Sequence, residues 1–131
     1  MVTDPIGDFI IRLKNAGATR KESVLVPFSK MKLAIAELLS AKGYLGAVTK
    51  KSKGEAKYLN VVLLYEKNGN PVISDVKRIS KPSRRLYEKA KSIKRLRRGF
   101  GMSVFSTPQG IMADTDAKKN NLGGEFLFNI W

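Results

Sequence analysis

Ser106-Thr107-Pro108-Gln109-Gly110, followed further along by Gly123-Gly124-Glu125, is the stretch on which the reading of this chain turns. Upstream of it, Phe100 to Thr107 alternates as a strand, with Phe100, Met102 and Val104 on one face. Thr107 to Gly110 has Pro at the second and Gly at the fourth position of a β-turn. Ile111-Met112-Ala113 returns as a short strand, and Asp114 is placed to cap a short helix over Thr115–Asn121. Leu122-Gly123-Gly124 breaks that helix. Glu125 to Trp131 closes as a strand, with Phe126, Phe128 and Ile130 expected on its buried side. The second half is therefore mostly antiparallel sheet.

Working outward, Asp4 and Pro5 suit a helix start, and Ile6, Phe9, Ile10 and Leu13 form its apolar stripe. Ser23 to Phe28 reads as a strand. Ser29 caps a second helix that runs to Lys42 and stops at Gly43. Tyr44–Thr49 and Tyr58–Tyr65 read as a hairpin, joined by a polar, basic connection over Lys50–Lys57 that is expected to be a mobile turn. Val72 to Ser80 reads as a further strand, Pro82 as a turn, and Lys89–Arg98 as a basic helical turn around Ile93 and Leu96. The turn cluster Asn68-Gly69-Asn70-Pro71 marks the expected boundary. The fold class is α+β in two small subdomains: an α-β-α-β-β layer over 1–68, and a β-rich subdomain with short helices over 72–131.

Charge points to the partner. Of 131 residues, 25 are Lys or Arg and 11 are Asp or Glu, a net charge of +14. Residues 1–76 carry net +5, residues 77–98 net +10, and residues 99–131 net −1. Such a field attracts a polyanion, and its maximum adjoins the Ser-Thr turn. Lys30 and Lys32, in the first turn of the second helix, sit where the helix dipole disfavours cations, which suits a phosphate nearby.

Catalysis and metal binding find little footing. The chain has no Cys and no His, so disulfides, Cys/His zinc sites and His-based triads are excluded. Asp114-Thr115-Asp116 reads as a helix start rather than a metal site, and no phosphate-loop motif occurs. No cofactor is expected. No apolar run reaches the ~20 residues of a spanning helix, so the expected compartment is the cytoplasm, without a membrane partner. Arg98-Gly99-Phe100-Gly101-Met102-Ser103-Val104-Phe105 nearly matches an RNA-recognition strand, but Met102 replaces its central aromatic. Phe100 is left either as a base-stacking ring or, with Met102, as core. An A-form minor groove offers 2′-hydroxyls and base edges to small polar groups, and a hydroxyl turn fits it.

Several blocks resemble the bacterial small-subunit ribosomal protein S8 family over essentially the whole chain. They are Thr3-Asp4-Pro5-Ile6-Gly7-Asp8 and Arg12–Ala16, then Val26–Lys32, then Lys77–Pro82. The most specific is Ser106-Thr107-x-x-Gly110 with Met112, Asp114, Ala117 and Gly123-Gly124-Glu125. The chain departs from the family pattern at Ser83, where Gly is usual, and at Pro108, where Ser is common.

The resemblance implies a non-catalytic constituent of the small ribosomal subunit that binds an irregular helix in the central domain of its RNA. It also implies neighbouring small-subunit proteins as partners and a look-alike helix in the operon's own messenger RNA. Specific contact is expected from Ser106, Thr107, Gln109 and Gly110, with Gly123, Gly124 and Glu125 orienting the turn through bonds from its N–H or O–H groups. Lys30, Lys32, Arg78, Lys81, Arg85, Tyr87 and Arg97 are expected to hold the RNA backbone. The alternative is a general binder of DNA or anionic membrane through residues 77–98. For a membrane, Ile93 and Leu96 give too small an apolar face.

Overall fold

A computed structural model describes residues 4–93 and 101–131. Its backbone forms two compact units, Asp8–Ser74 and Met1–Gly7 with Asp75–Trp131. The architecture is α+β.

The first unit takes helix α1 (Pro5–Ala18) from Asp8 onward, then strand β1 (Ser23–Pro27), helix α2 (Lys30–Ala41) and strands β2 (Leu45–Lys53) and β3 (Ala56–Leu63). The sheet order is β1-β3-β2, antiparallel throughout. Of the stripe expected on α1, Phe9, Ile10 and Leu13 are buried and Ile6 is half-buried. Ser29 caps α2 by accepting the Lys32 backbone N–H at 3.0 Å, and Ile35, Ala36 and Leu39 lie wholly inside. The Lys50–Lys57 connection is not a loop. Lys51 pairs with Tyr58, Ser52 with Lys57 and Lys53 with Ala56, so only Gly54 and Glu55 turn. Strand ladders bond backbone to backbone, so a run of exposed lysines does not end one. Residues 72–80 are a strand only over β4 (Val76–Arg78). Before it, the Val72 N–H is held by the Leu64 carbonyl at 3.1 Å, inside the first unit.

The second unit adds β5 (Tyr87–Glu88), a 3-10 turn (Ala90–Ser92), β6 (Met102–Thr107), β7 (Gly110–Ala113), α3 (Asp114–Lys119) and β8 (Gly124–Ile130). Strand order is β4-β8-β6-β7, with β5 also on β8 and every pair antiparallel. Of the helical turn expected over Lys89–Arg98, the described part forms the 3-10 turn; the rest, with Leu96 and Arg97, and Phe100 beyond it, lies outside the described residues. Asp114 is the first residue of α3 rather than the residue before it, and its carboxylate accepts the Thr115 N–H at 3.0 Å.

The expected single buried side of β8 is corrected by a bulge. Val104 pairs with Phe128 but Phe105 pairs with Phe126, leaving Leu127 unopposed. Phe126 therefore faces with Phe105, their ring centroids 4.7 Å apart, in a cluster with Ile93, Met112 and Ala117. Phe128 and Ile130 face the other way, with Val104 and Met102.

The N-terminus is fastened within this unit. Arg78 donates from Nε to Asp4 Oδ2 at 3.0 Å, from Nη2 to Oδ1 at 3.1 Å, and from Nη1 to the Leu127 carbonyl at 2.6 Å. Asp4 also accepts the Gly7 N–H at 3.2 Å, capping α1. Burial pushes the Asp4 carboxyl up, but the Arg78 and Gly7 hydrogen bonds and the charges of Arg78 and Lys81 outweigh it. They hold Asp4 below its ordinary 3.8. That stabilisation is complete above the unfolded-state value and drains away as pH falls through the lower folded-state value. In urea melts, Asp4→Asn is expected to cost about 1–3 kcal/mol at pH 7, and the difference from wild type should shrink as pH falls through the lowered folded-state value of Asp4.

Candidate nucleic-acid interface

Strands β6 and β7 meet in a two-residue turn, Pro108–Gln109, with Thr107 opposite Gly110. Pro108 fixes its own φ at a negative value, which excludes the primed hairpin turns. The left-handed residue comes instead at Gly110, with φ +120°. Thr107 closes the turn from inside: its Oγ1 donates to the Gly110 carbonyl at 2.8 Å and accepts the Gln109 N–H at 3.2 Å. The side chain is buried, so its hydroxyl shapes the loop and is not displayed. Pro108, Gln109 and Gly110 are exposed. Ser106, on the opposite face by alternation, is half-buried, and its hydroxyl bonds to no other described residue.

Gly123 and Gly124, at the start of β8, set the spacing. A Cβ on Gly123 would stand 2.6 Å from the Glu88 carbonyl oxygen, and one on Gly124 would stand 2.1 Å from that of Ser106. No side chain fits at either point. The register that follows puts Glu125 opposite Ser106 on one side and Tyr87 on the other. Paired residues share a face, so Ser106, Glu125 and Tyr87 form a row across three strands, extended by Ile111 opposite Ser106. Tyr87 is 66% exposed.

Glu125 does not accept from the turn, as the sequence suggested. Its Oε2 accepts a short hydrogen bond from Ser80 Oγ, and its Oε1 lies 3.5 Å from Arg85 Nη1. Ser80, fully buried, also accepts the Leu86 N–H at 3.1 Å. The carboxylate is only 13% exposed and so is held from beneath in one orientation. Nothing in the sequence marked Ser80 for this part beyond its place in the Lys77–Pro82 block; its partner lies 45 residues away.

The expected cations divide. Arg78 is consumed by Asp4 and Leu127, its side chain only 12% exposed, so it is not a free phosphate ligand. Lys81, Arg84 and Arg85 are exposed around a tight turn in which Lys81 and Arg84 exchange backbone bonds of 3.0 and 2.9 Å. That turn contains Ser83 without any left-handed residue. Arg97 lies outside the described residues. Lys30 and Lys32 belong to the first unit, at the start of α2, with Lys30 exposed and Lys32 half-buried. Among the described residues, no cluster of three acidic side chains could hold a metal ion, and no helix is long and apolar enough to cross a membrane.

An oriented carboxylate, a spare hydroxyl and an exposed ring thus stand in one row, bordered by exposed cations. The family model described as ribosomal protein S8 matches residues 4–131, and the chain belongs to that family, whose members are structural components of the ribosome. Relatives named small ribosomal subunit protein uS8 are similar throughout. That of Anaeromyxobacter sp. (strain Fw109-5) is 41% identical over 98% of both chains. That of Caldanaerobacter subterraneus subsp. tengcongensis is 43% identical over 100% of this chain and 99% of its own. That of Dictyoglomus turgidum is 44% identical over 99% and 98%.

Gly124→Ala is expected to cost about 3 kcal/mol, because backbone and not a flexible side chain must yield. Gly110→Ala, which meets nothing within 4 Å, should cost only its backbone strain, about 1–2 kcal/mol. Urea titration of both variants gives the order.

Proposed function

We propose that this chain is a constituent of the small ribosomal subunit that binds an irregular helix in the central domain of the subunit's RNA. The second unit makes the specific contact. The observation that carries this reading is the cross-strand row of Ser106, Glu125 and Tyr87 beside the exposed Pro108–Gly110 turn. Ser106 both donates and accepts, so it suits a 2′-hydroxyl or a base edge. Gln109 and the Gly110 backbone extend that surface, and Tyr87 offers a ring to a base or ribose. Thr107 acts by shaping the turn, and Gly123 and Gly124 by bringing β8 close enough to place Glu125.

Lys81 and Arg85, with Arg84, hold phosphates on the flank; Arg97 adds to the same basic stretch, and Lys30 and Lys32 serve a second strand. Arg78 supports the unit from within. The protein works in the cytoplasm, inside the ribosome, beside other small-subunit proteins. A helix of like shape in its operon's messenger RNA would occupy the same surface, which makes translational repression a second use of it.

Competition binding against a labelled central-domain helix tests this. Unlabelled duplex DNA and unrelated structured RNA should displace the helix poorly from wild type. Ser106→Ala should lower the discrimination by about 1–2 kcal/mol. Lys81→Ala should weaken all RNAs alike and reduce the salt slope by about one. Equal displacement by every competitor, in wild type and Ser106→Ala alike, would leave only a general polyanion binder.

A further inference from the structure

The β2–β3 hairpin of the first unit carries its apolar face only part of the way. Leu59, Val61 and Leu63 are buried on that face, and Val24 and Val26 of β1 pair onto it. Lys50 stands opposite Leu59, and Ser52 opposite Lys57, so Lys50, Ser52 and Lys57 continue the same face past the last buried residue. Phe28, just before the α2 cap, reaches this strip: its N–H donates to the Lys57 carbonyl at 3.0 Å. Lys50 Nζ sits 5.3 Å from the centre of the Phe28 ring. With Lys51 these residues bound an open cleft of about 210 Å³.

Lys50, Lys51 and Lys57 are exposed, and none has a carboxylate partner among the described residues. Glu55, at the hairpin tip, is the hairpin's one acidic side chain. Cations crowded in this way repel one another, and an anion between them relieves the repulsion. The ring of Phe28 steadies Lys50 from one side and leaves its other side open. An aromatic face beside a cation pair is the arrangement by which proteins hold a nucleotide without reading its sequence.

We propose that this cleft is a second nucleic-acid contact, seating one phosphate of an RNA strand between Lys50 and Lys57 with the adjoining base or ribose against Phe28. It deepens the ribosomal RNA reading above and rests on it. The test is anisotropy binding of the full chain to a central-domain RNA fragment that keeps its flanking single strands. Lys50→Ala/Lys57→Ala is compared with Lys67→Ala/Lys118→Ala, which removes equal charge from exposed positions elsewhere.

The cleft pair should lose about tenfold in affinity and about one from the salt slope, against less than threefold for the control pair, with selectivity unchanged. Phe28→Leu should lose several-fold with no change of slope. A cleft pair no weaker than the control overturns the proposal. So does a deficit confined to phosphatidylserine vesicles, which would assign the cleft to a lipid surface. Should wild type show no preference for the ribosomal fragment, the ribosomal reading falls. The cleft is then judged by the same pair-against-control comparison on unrelated RNA.

Discussion

The backbone of Gly124 lies so near the Ser106 carbonyl that nothing larger than hydrogen can stand between them. Much of the second unit follows from that approach. It fixes β8 against β6, and with β8 fixed, Glu125 must fall between Ser106 and Tyr87. A slip of one residue would turn Glu125 to the opposite face and leave Ser80 Oγ without its acceptor. The glycine is thus a constraint on register more than on flexibility, and its effect is read out one residue later.

The bulge at Leu127 solves a second problem on the same strand. Regular alternation would put Phe126 and Phe128 on one face, and Glu125 on the other. With Leu127 unopposed, Phe126 joins Phe105 and Ile93, while Phe128 and Ile130 fill the opposite core. Glu125 then shares a face with Phe128 and with Ser106 and stands at its polar end. One seven-residue strand so serves two apolar layers and the candidate interface. Truncating Phe105 or Phe128 would therefore disturb the row through the strand it stands on, without touching any polar group in it.

The α+β class, the helix stripes and the Pro108–Gln109 turn could be read from the chain because each is local. Periodicity over α1, a cap at Ser29, and a proline followed by glycine need no knowledge of distant residues. The misjudged features depend on pairing. The lysines from 50 to 57 resemble a loop in composition, and only the partner strand makes them a ladder. The bulge at Leu127 has no signal in β8 alone. The site divides the same way: the turn and the glycines were visible, whereas Glu125's bond to Ser80 and Arg78's to Asp4 join residues far apart in sequence.

Counting charge also misjudges what charge can do. The stretch from 77 to 98 carries net +10, yet the fold spends Arg78 on its own N-terminus and sets Arg85 against Glu125. Among the described residues, Lys81, Arg84 and Arg85 are exposed on or beside a tight turn near the row, with a nearly buried carboxylate beside them. A uniform positive surface would accept a polyanion in many registers at similar energy. A fixed carboxylate forbids those that bring a phosphate over it and favours those that bring a donor, such as a 2′-hydroxyl or an exocyclic amine. On the proposed reading, discrimination would come from this negative group as much as from the positive ones. That is a physical reason for Ser80 to hold Glu125 so firmly: a carboxylate free to swing aside would repel nothing.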